Sequence, residues 1–173
     1  MFTIIQDTRE KQGWVFGSIN MCRQTLATGD YTLQEVLDYE EESGIKLLRI
    51  ERKGTTGELS MNLGKNKKRF LREMDRLAEY RHKHVIMEFT KITLMQFPEG
   101  SGIPKRYWFK KGKSGKRVRR LIITGAYMLS VLNKIEEDYG VQIHFADGRD
   151  SAIELAIAIF HNVYDELING IKA

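Results

Sequence analysis

The chain has a single cysteine, Cys22, and only two prolines, Pro98 and Pro104, in 173 residues. One thiol rules out an internal disulfide and fits a reducing compartment, so a cytoplasmic location is expected. The four histidines, His82, His84, His144 and His161, lack cysteine partners and zinc-like spacing, which argues against a zinc site. No apolar run is long enough to span a bilayer, so no membrane partner is expected. Residues 1–6 read straight into a strand instead of a basic leader, and no secretory signal is expected. No internal repeat is visible, and the length suits one domain over residues 1–173 with a single core.

Acid is missing from one long stretch. Between Lys105 and Arg120 stand Lys105, Arg106, Lys110, Lys111, Lys113, Lys116, Arg117, Arg119 and Arg120, with Tyr107, Trp108 and Phe109 among them. A second basic cluster, Lys67, Lys68 and Arg69, flanked by Lys65 and Arg72, opens a helical pattern. Lysine and arginine bind phosphates through charge and counterion release, and aromatic rings stack on unpaired bases. The net charge of +5 is modest, so it is the clustering that points to DNA as a partner.

The densest chemistry lies at Glu51-Arg52-Lys53, closing the apolar run Ile45–Ile50 that reads as a buried strand. Residues two apart on a strand share a face, so Glu51 and Lys53 point one way and Arg52 the other. Asp30 stands upstream in Thr28-Gly29-Asp30-Tyr31. Hydrolysis of a phosphodiester needs a hard cation to offset charge on the phosphorane and to activate water. Magnesium takes one or two carboxylates and fills its shell with water and phosphate, a role open to Asp30 and Glu51. Lys53 would then stabilise developing charge or hold the attacking water. A first apolar strand, Phe2–Gln6, runs into Asp7-Thr8-Arg9-Glu10, placing more acid at a strand end.

These runs, Asp7-Thr8-Arg9-Glu10, Gly29-Asp30-Tyr31 and Glu51-Arg52-Lys53, resemble the ERCC4/XPF-type nuclease family in order and spacing. The likeness continues through Arg69–Leu77, His84–Glu88, Gln142–Ala146 and the Asp150–Ile159 helix, nearly the whole chain. It implies a three-layer α/β/α, restriction-endonuclease-like (PD-(D/E)XK) fold with a mixed central sheet. The resemblance implies a Mg²⁺- or Mn²⁺-dependent endodeoxyribonuclease, cutting branched, flap or fork DNA. Asp30 and Glu51 are the implied metal ligands, with Asp7 a further or water-mediated one, and Lys53 positions the water. Arg9 and Arg52 are expected to fix carboxylates or backbone phosphate, and Glu10 to order the first loop or join the metal shell.

Two departures stand out. Family members usually carry Asp four residues beyond the Lys; here Gly57 stands there and Glu58 follows, so either Glu58 substitutes or the role is lost. The gap between Asp30 and Glu51 is widened by Glu35, Asp38, Glu40, Glu41 and Glu42, an acidic insertion over about 34–45 expected to extend a hairpin away from the substrate. A basic insertion occupies about 99–120. No helix-hairpin-helix sequence follows the last helix, so the basic arm, a protein partner or a second copy is expected to add DNA grip. Such a small version suggests a bacterial or viral source. A rival reading is a catalytically inactive nucleic-acid-binding module of the same fold; another is an RNA-binding protein.

Periodicity predicts a hairpin of Leu26–Leu33 with Lys46–Lys53, and helices at Glu58–Leu63, Lys67–Tyr80, Gly125–Tyr139 and Asp150–Ile168. Strands are predicted at Val85–Phe89 and Val141–Phe145. Asn66 is the expected cap of the Lys67 helix, with Phe70, Met74 and Leu77 as its buried stripe. Glu73 is open to two readings, facing the site or pairing with Arg69 or Arg76, and the surface ion pair is the expected one. Trp14 and Phe16 are expected under the sheet.

Overall fold

The computed structural model describes residues 1–111, 114, 116–119 and 123–170, with Phe109–Lys111 and Arg117–Arg119 described through the backbone alone. The expected DNA contacts Lys113 and Arg120 lie outside the described residues.

A six-stranded sheet forms the middle layer. Its strands are β1 (Ile4–Asp7), β2 (Met21–Gln24), β3 (Tyr31–Leu33), β4 (Leu48–Lys53), β5 (His82–Met87) and β8 (Gln142–Phe145), in the order β2-β1-β3-β4-β5-β8. β1 pairs β2 in parallel, β3 runs antiparallel to both β1 and β4, and β4, β5 and β8 are parallel. The sheet is therefore mixed, and the parallel β4–β5–β8 half gathers its carboxyl ends along one edge.

Helices cover both faces of the sheet: β5 is apolar on both, whereas β4 is apolar on one and carries Arg49, Glu51 and Lys53 on the other. Leu48, Ile50 and Ile86 face a core with Phe2, Trp14, Phe16 and Tyr31, closed by α1 (Gln34–Ser43) and α6 (Arg149–Ile168). Val85 and Met87 face the opposite core, closed by α2 (Thr56–Leu63), α3 (Lys67–Leu77), α4 (Lys91–Met95) and α5 (Gly125–Tyr139). The stripe Phe70, Met74 and Leu77 is buried as its period predicts. Trp14 stacks on Tyr31 with ring centroids 4.7 Å apart, and the Trp14 N–H donates to the Tyr31 hydroxyl.

Two expectations need correction, and one segment adds structure that was not anticipated. The acidic insertion is helix α1, not an extended hairpin; its Glu40 is half-buried against Arg49 and accepts from the Leu47 N–H. Asn66 begins α3, but its side chain makes no cap bond. The basic insertion contains the short antiparallel pair β6 (Phe109–Lys111) and β7 (Arg117–Arg119), preceded by a 3-10 turn at Lys105–Tyr107; neither was expected.

Candidate nuclease-type site

Backbone register brings the distant acids together. β3 and β4 pair antiparallel with Tyr31 opposite Ile50, so one step on, Asp30 stands opposite Glu51. Opposed residues share a face, with Cβ atoms roughly 4.5–5.5 Å apart. The Asp30 N–H donates to the Ile50 carbonyl, and its own carbonyl accepts from the Asp7 N–H, pinning the residue between β1 and β4. Gly29 makes this approach feasible: its φ is +75°, and a Cβ there would meet the Ile50 carbonyl oxygen at 3.2 Å. Tyr31, the third residue of that run, belongs to the core.

Along β4 the alternation holds. Glu51 and Lys53 face α2 and α3, both nearly fully buried, with Nζ of Lys53 donating to Oε1 of Glu51 at 2.5 Å. The Lys53 ammonium also lies 5.3 Å from the Phe70 ring centre and 3.7 Å from Oε1 of Glu58. On the other face the Arg52 guanidinium donates to Oε1 of Glu88 at 2.6 Å, beside the Trp14 indole N–H on the same oxygen. Arg52 reaches the acids through its backbone N–H, which donates to Oδ2 of Asp30 at 2.8 Å, and through a looser pair with Glu10 at 3.6 Å.

These groups line a cleft of about 500 Å³ whose walls are Arg9, Glu10, Asp30, Glu51, Arg52, Lys53, Glu58, Met61, Asn62, Asn66, Arg69 and Glu73. Burial, then the Glu51 charge, pushes the Asp30 carboxyl well above the ordinary value, against the Arg52 N–H and Lys53. Burial likewise raises Glu51; Lys53 opposes it and Glu73 adds to it. Burial alone would lower Lys53, but Glu51, Glu73 and Glu58 outweigh it and hold the ammonium protonated. Lys53 in this state is a cation and donor rather than a base.

Asp7 is placed differently from the expectation. It does not line the cleft. Its carboxylate accepts from the Arg9 N–H, Nε and Nη2 and from the Leu26 N–H, at 2.7–2.8 Å. Burial works against its charge, but these bonds prevail and hold its pKa below the ordinary value. A carboxylate with every lone-pair direction so engaged acts as a staple for the loop after β1. Glu10 does line the cleft, and its Oε1 orders the turn by accepting from the Gln12 N–H.

The Gly57 departure has a steric cause. A Cβ on Gly57 would lie 2.5 Å from the Ser101 carbonyl oxygen, so no aspartate fits unless the 98–103 turn moves. Glu58 borders the cleft, yet its Oε2 accepts from the Gly54 N–H and helps to start α2. Glu73 faces the cleft, and no ion pair joins it to Arg69 or Arg76 among the described residues, which decides between its two readings. Asn62 and Asn66 were not anticipated as site residues; their spacing one turn from Glu58 and Arg69 was the available signal.

The donor set suits a hard divalent ion. Oδ1 of Asp30 and Oε2 of Glu51 have no hydrogen-bond partner among the described residues, and both carboxyls resist ionising without added positive charge. Among the described residues no group of three or more His, Cys, Asp or Glu side chains could enclose a metal; magnesium commonly takes one or two protein carboxylates and completes its shell with water and phosphate.

Of the expected DNA contacts, Lys67 packs on Tyr127, Lys68 and Arg69 are exposed, and Arg69 borders the cleft. Lys105, Arg106 and Lys116 are exposed, while Trp108 is half-buried and donates its indole N–H to the Ile103 carbonyl. Lys110, Lys111, Arg117 and Arg119 are placed by backbone only, on β6 and β7. No helix among the described residues is long and apolar enough to cross a membrane.

The ERCC4 domain family model matches residues 6–158. Among solved structures, XPF from Aeropyrum pernix is similar with a TM-score of 0.58 and 17% identity, over 92% of this chain and 60% of that one. XPF from Aeropyrum pernix in complex with DNA is similar with a TM-score of 0.56 and 17% identity, over 100% of this chain and 68% of that one. No curated protein matches.

Proposed function

The chain belongs to the ERCC4 domain family, and from that premise we propose that it is a Mg²⁺- or Mn²⁺-dependent DNA endonuclease acting on branched duplexes such as flaps and forks. The observation that carries this reading is the meeting of Asp30, Glu51 and Lys53 in one cleft at the carboxyl edge of β4. Asp30 and Glu51 would hold the divalent ion, which when bound would supply positive charge at the scissile phosphate and activate water there. Lys53, kept protonated by Glu51, Glu73 and Glu58, donates to a phosphate oxygen or the incoming water and offsets charge on the phosphorane. Arg52 sets Asp30 through its N–H while its guanidinium is anchored on Glu88. Arg9, 64% exposed at its side chain, reaches the cleft from the Asp7 staple and meets the DNA backbone there. The basic arm adds grip along the duplex.

Incubation of flap, fork and linear DNA with Mg²⁺ or Mn²⁺ tests the reading. Cleavage is expected from the wild type and should be absent from Glu51→Ala and Lys53→Ala. Undiminished cleavage by both variants would refute the assignment. Gly57, standing where aspartate is usual, favours a second reading as an inactive DNA-binding module; DNA binding by wild type without cleavage of any substrate would establish it.

A further inference from the structure

The cleft is divided between acceptors and donors. Glu58 and Glu73 bear on Lys53 and Glu51 at the acidic end. The corner where α2 passes into α3 presents two amides and a guanidinium: Asn62, Asn66 and Arg69.

We propose that this corner is a subsite for a second phosphate group, held by the Asn62 and Asn66 amides, the Arg69 guanidinium and the Lys68 backbone N–H. The substrate rests on the nuclease reading above; the donor geometry does not. Asn62 is only 7% exposed and lines the cleft, yet its amide has no hydrogen-bond partner among the described residues. Its amide atoms are not among the fully enclosed unpaired ones, so they open on the cleft, where a ligand oxygen can accept from them. Asn66, at the start of α3, likewise makes no side-chain bond to its own helix. In the first turn of that helix the Lys67 N–H is taken by the Gly64 carbonyl and the Arg69 N–H by the Asn66 carbonyl. The Lys68 N–H has no such acceptor among the described residues.

Direction matters as well. α3 joins the cleft wall to the start of β5, which is parallel to β4, so α3 runs against β4 and opens at the edge where Glu51 and Lys53 emerge. Its positive end and free N–H therefore face the side on which a strand of DNA would lie. A metal needs oxygen acceptors and a phosphate needs donors; the cleft supplies both, side by side. Two sources share this chemistry: an internal phosphate beside the scissile bond, or a terminal 5′-phosphate at a nick or flap.

Binding measured with Ca²⁺ in place of Mn²⁺ tests the subsite without cleavage. The probes are fork DNAs carrying one methylphosphonate at successive positions, and nicked duplexes with or without a 5′-phosphate. For wild type, one such change should weaken binding about tenfold, the loss of one charge-assisted bond. The Asn62→Ala/Asn66→Ala protein should bind unmodified DNA about tenfold more weakly and respond less than wild type to that same change, Arg69 and the Lys68 N–H being left to hold the phosphate. A methylphosphonate effect identifies an internal phosphate, and a 5′-phosphate effect a terminal one. Asn66→Asp keeps a good N-cap residue, so its thermal stability should hold or rise while DNA binding falls; a merely structural Asn66 would not separate the two. Equal responses of wild type and double variant to every phosphate change, wild-type binding by Asn66→Asp, or no DNA binding by wild type would overturn the subsite. Mn²⁺-dependent cleavage is scored separately: its absence with the binding pattern intact would sink the nuclease reading and leave the subsite standing.

Discussion

Replacing Lys53 by methionine should destabilise the metal-free protein far more than removing Glu51 and Lys53 together. The two charges lie 2.5 Å apart, each side chain 5% exposed. At an effective dielectric of about 20, their attraction is about 7 kcal/mol. Burying each ion costs several kcal/mol, so the pair nearly breaks even against an apolar or neutral substitute, whereas stripping one partner costs about 3–5 kcal/mol. Lys53→Met should therefore lower the thermal midpoint by about 6–20 °C, at about 2–4 °C per kcal/mol for a chain of this size. The Glu51→Gln/Lys53→Met protein should lose much less than the sum of the two single changes.

The pH dependence carries a sign. Without Lys53, Asp30 and Glu51 keep raised folded-state pKa values, so the native chain binds more protons than the unfolded one above the ordinary carboxylate range. Stability of Lys53→Met should then fall as pH rises through the folded-state values, and its deficit should shrink toward about pH 4. Saturating Mn²⁺ should restore much of the loss by supplying the missing charge. Urea denaturation in EDTA and in Mn²⁺ across pH reads all three effects. A deficit independent of pH and of Mn²⁺, or a double variant costing the full sum, would show that the two carboxylates do not share one dry site.

Asp30→Asn keeps an acceptor for the Arg52 N–H while removing repulsion against Glu51; in EDTA it should be more stable than wild type by about 1–3 kcal/mol, and should lose the Mn²⁺-induced rise in thermal midpoint. Equal midpoints and an intact Mn²⁺ response would contradict the placement of Asp30 opposite Glu51. Gly57→Ala gains helix propensity but drives a Cβ toward the Ser101 carbonyl, so calorimetry should find a net loss of about 1–2 kcal/mol, where an exposed helix would show a gain. Asp7→Ala leaves the Leu26 N–H and Arg9 without their acceptor and should cost about 2–4 kcal/mol at neutral pH while sparing the Mn²⁺ response. Because Asp7 is held below its ordinary pKa, that cost should vanish as pH falls through its folded value; a lost Mn²⁺ response would return Asp7 to the metal shell.

Much of this site was legible before any fold was known, because its geometry is local. Alternation along β4 alone puts Glu51 and Lys53 on one face and Arg52 on the other, whatever surrounds the strand. Helix periods likewise located α3, with its buried stripe, and α5. The acidic insertion misled because Glu35–Glu42 is charge-rich, with few apolar residues to set a period, and its helix rests on the tertiary pair Glu40–Arg49. Asp7 shows a related limit of sequence: an acid at a strand end looks the same whether its oxygens face solvent or four N–H groups. What tertiary structure alone decided was register and proximity. The pairing of Tyr31 with Ile50 sets Asp30 against Glu51, the 98–103 turn excludes a side chain at residue 57, and the α2–α3 corner turns two unremarked asparagines into the cleft. Such relations depend on contacts between segments far apart in the chain, and composition and local period carry no record of them.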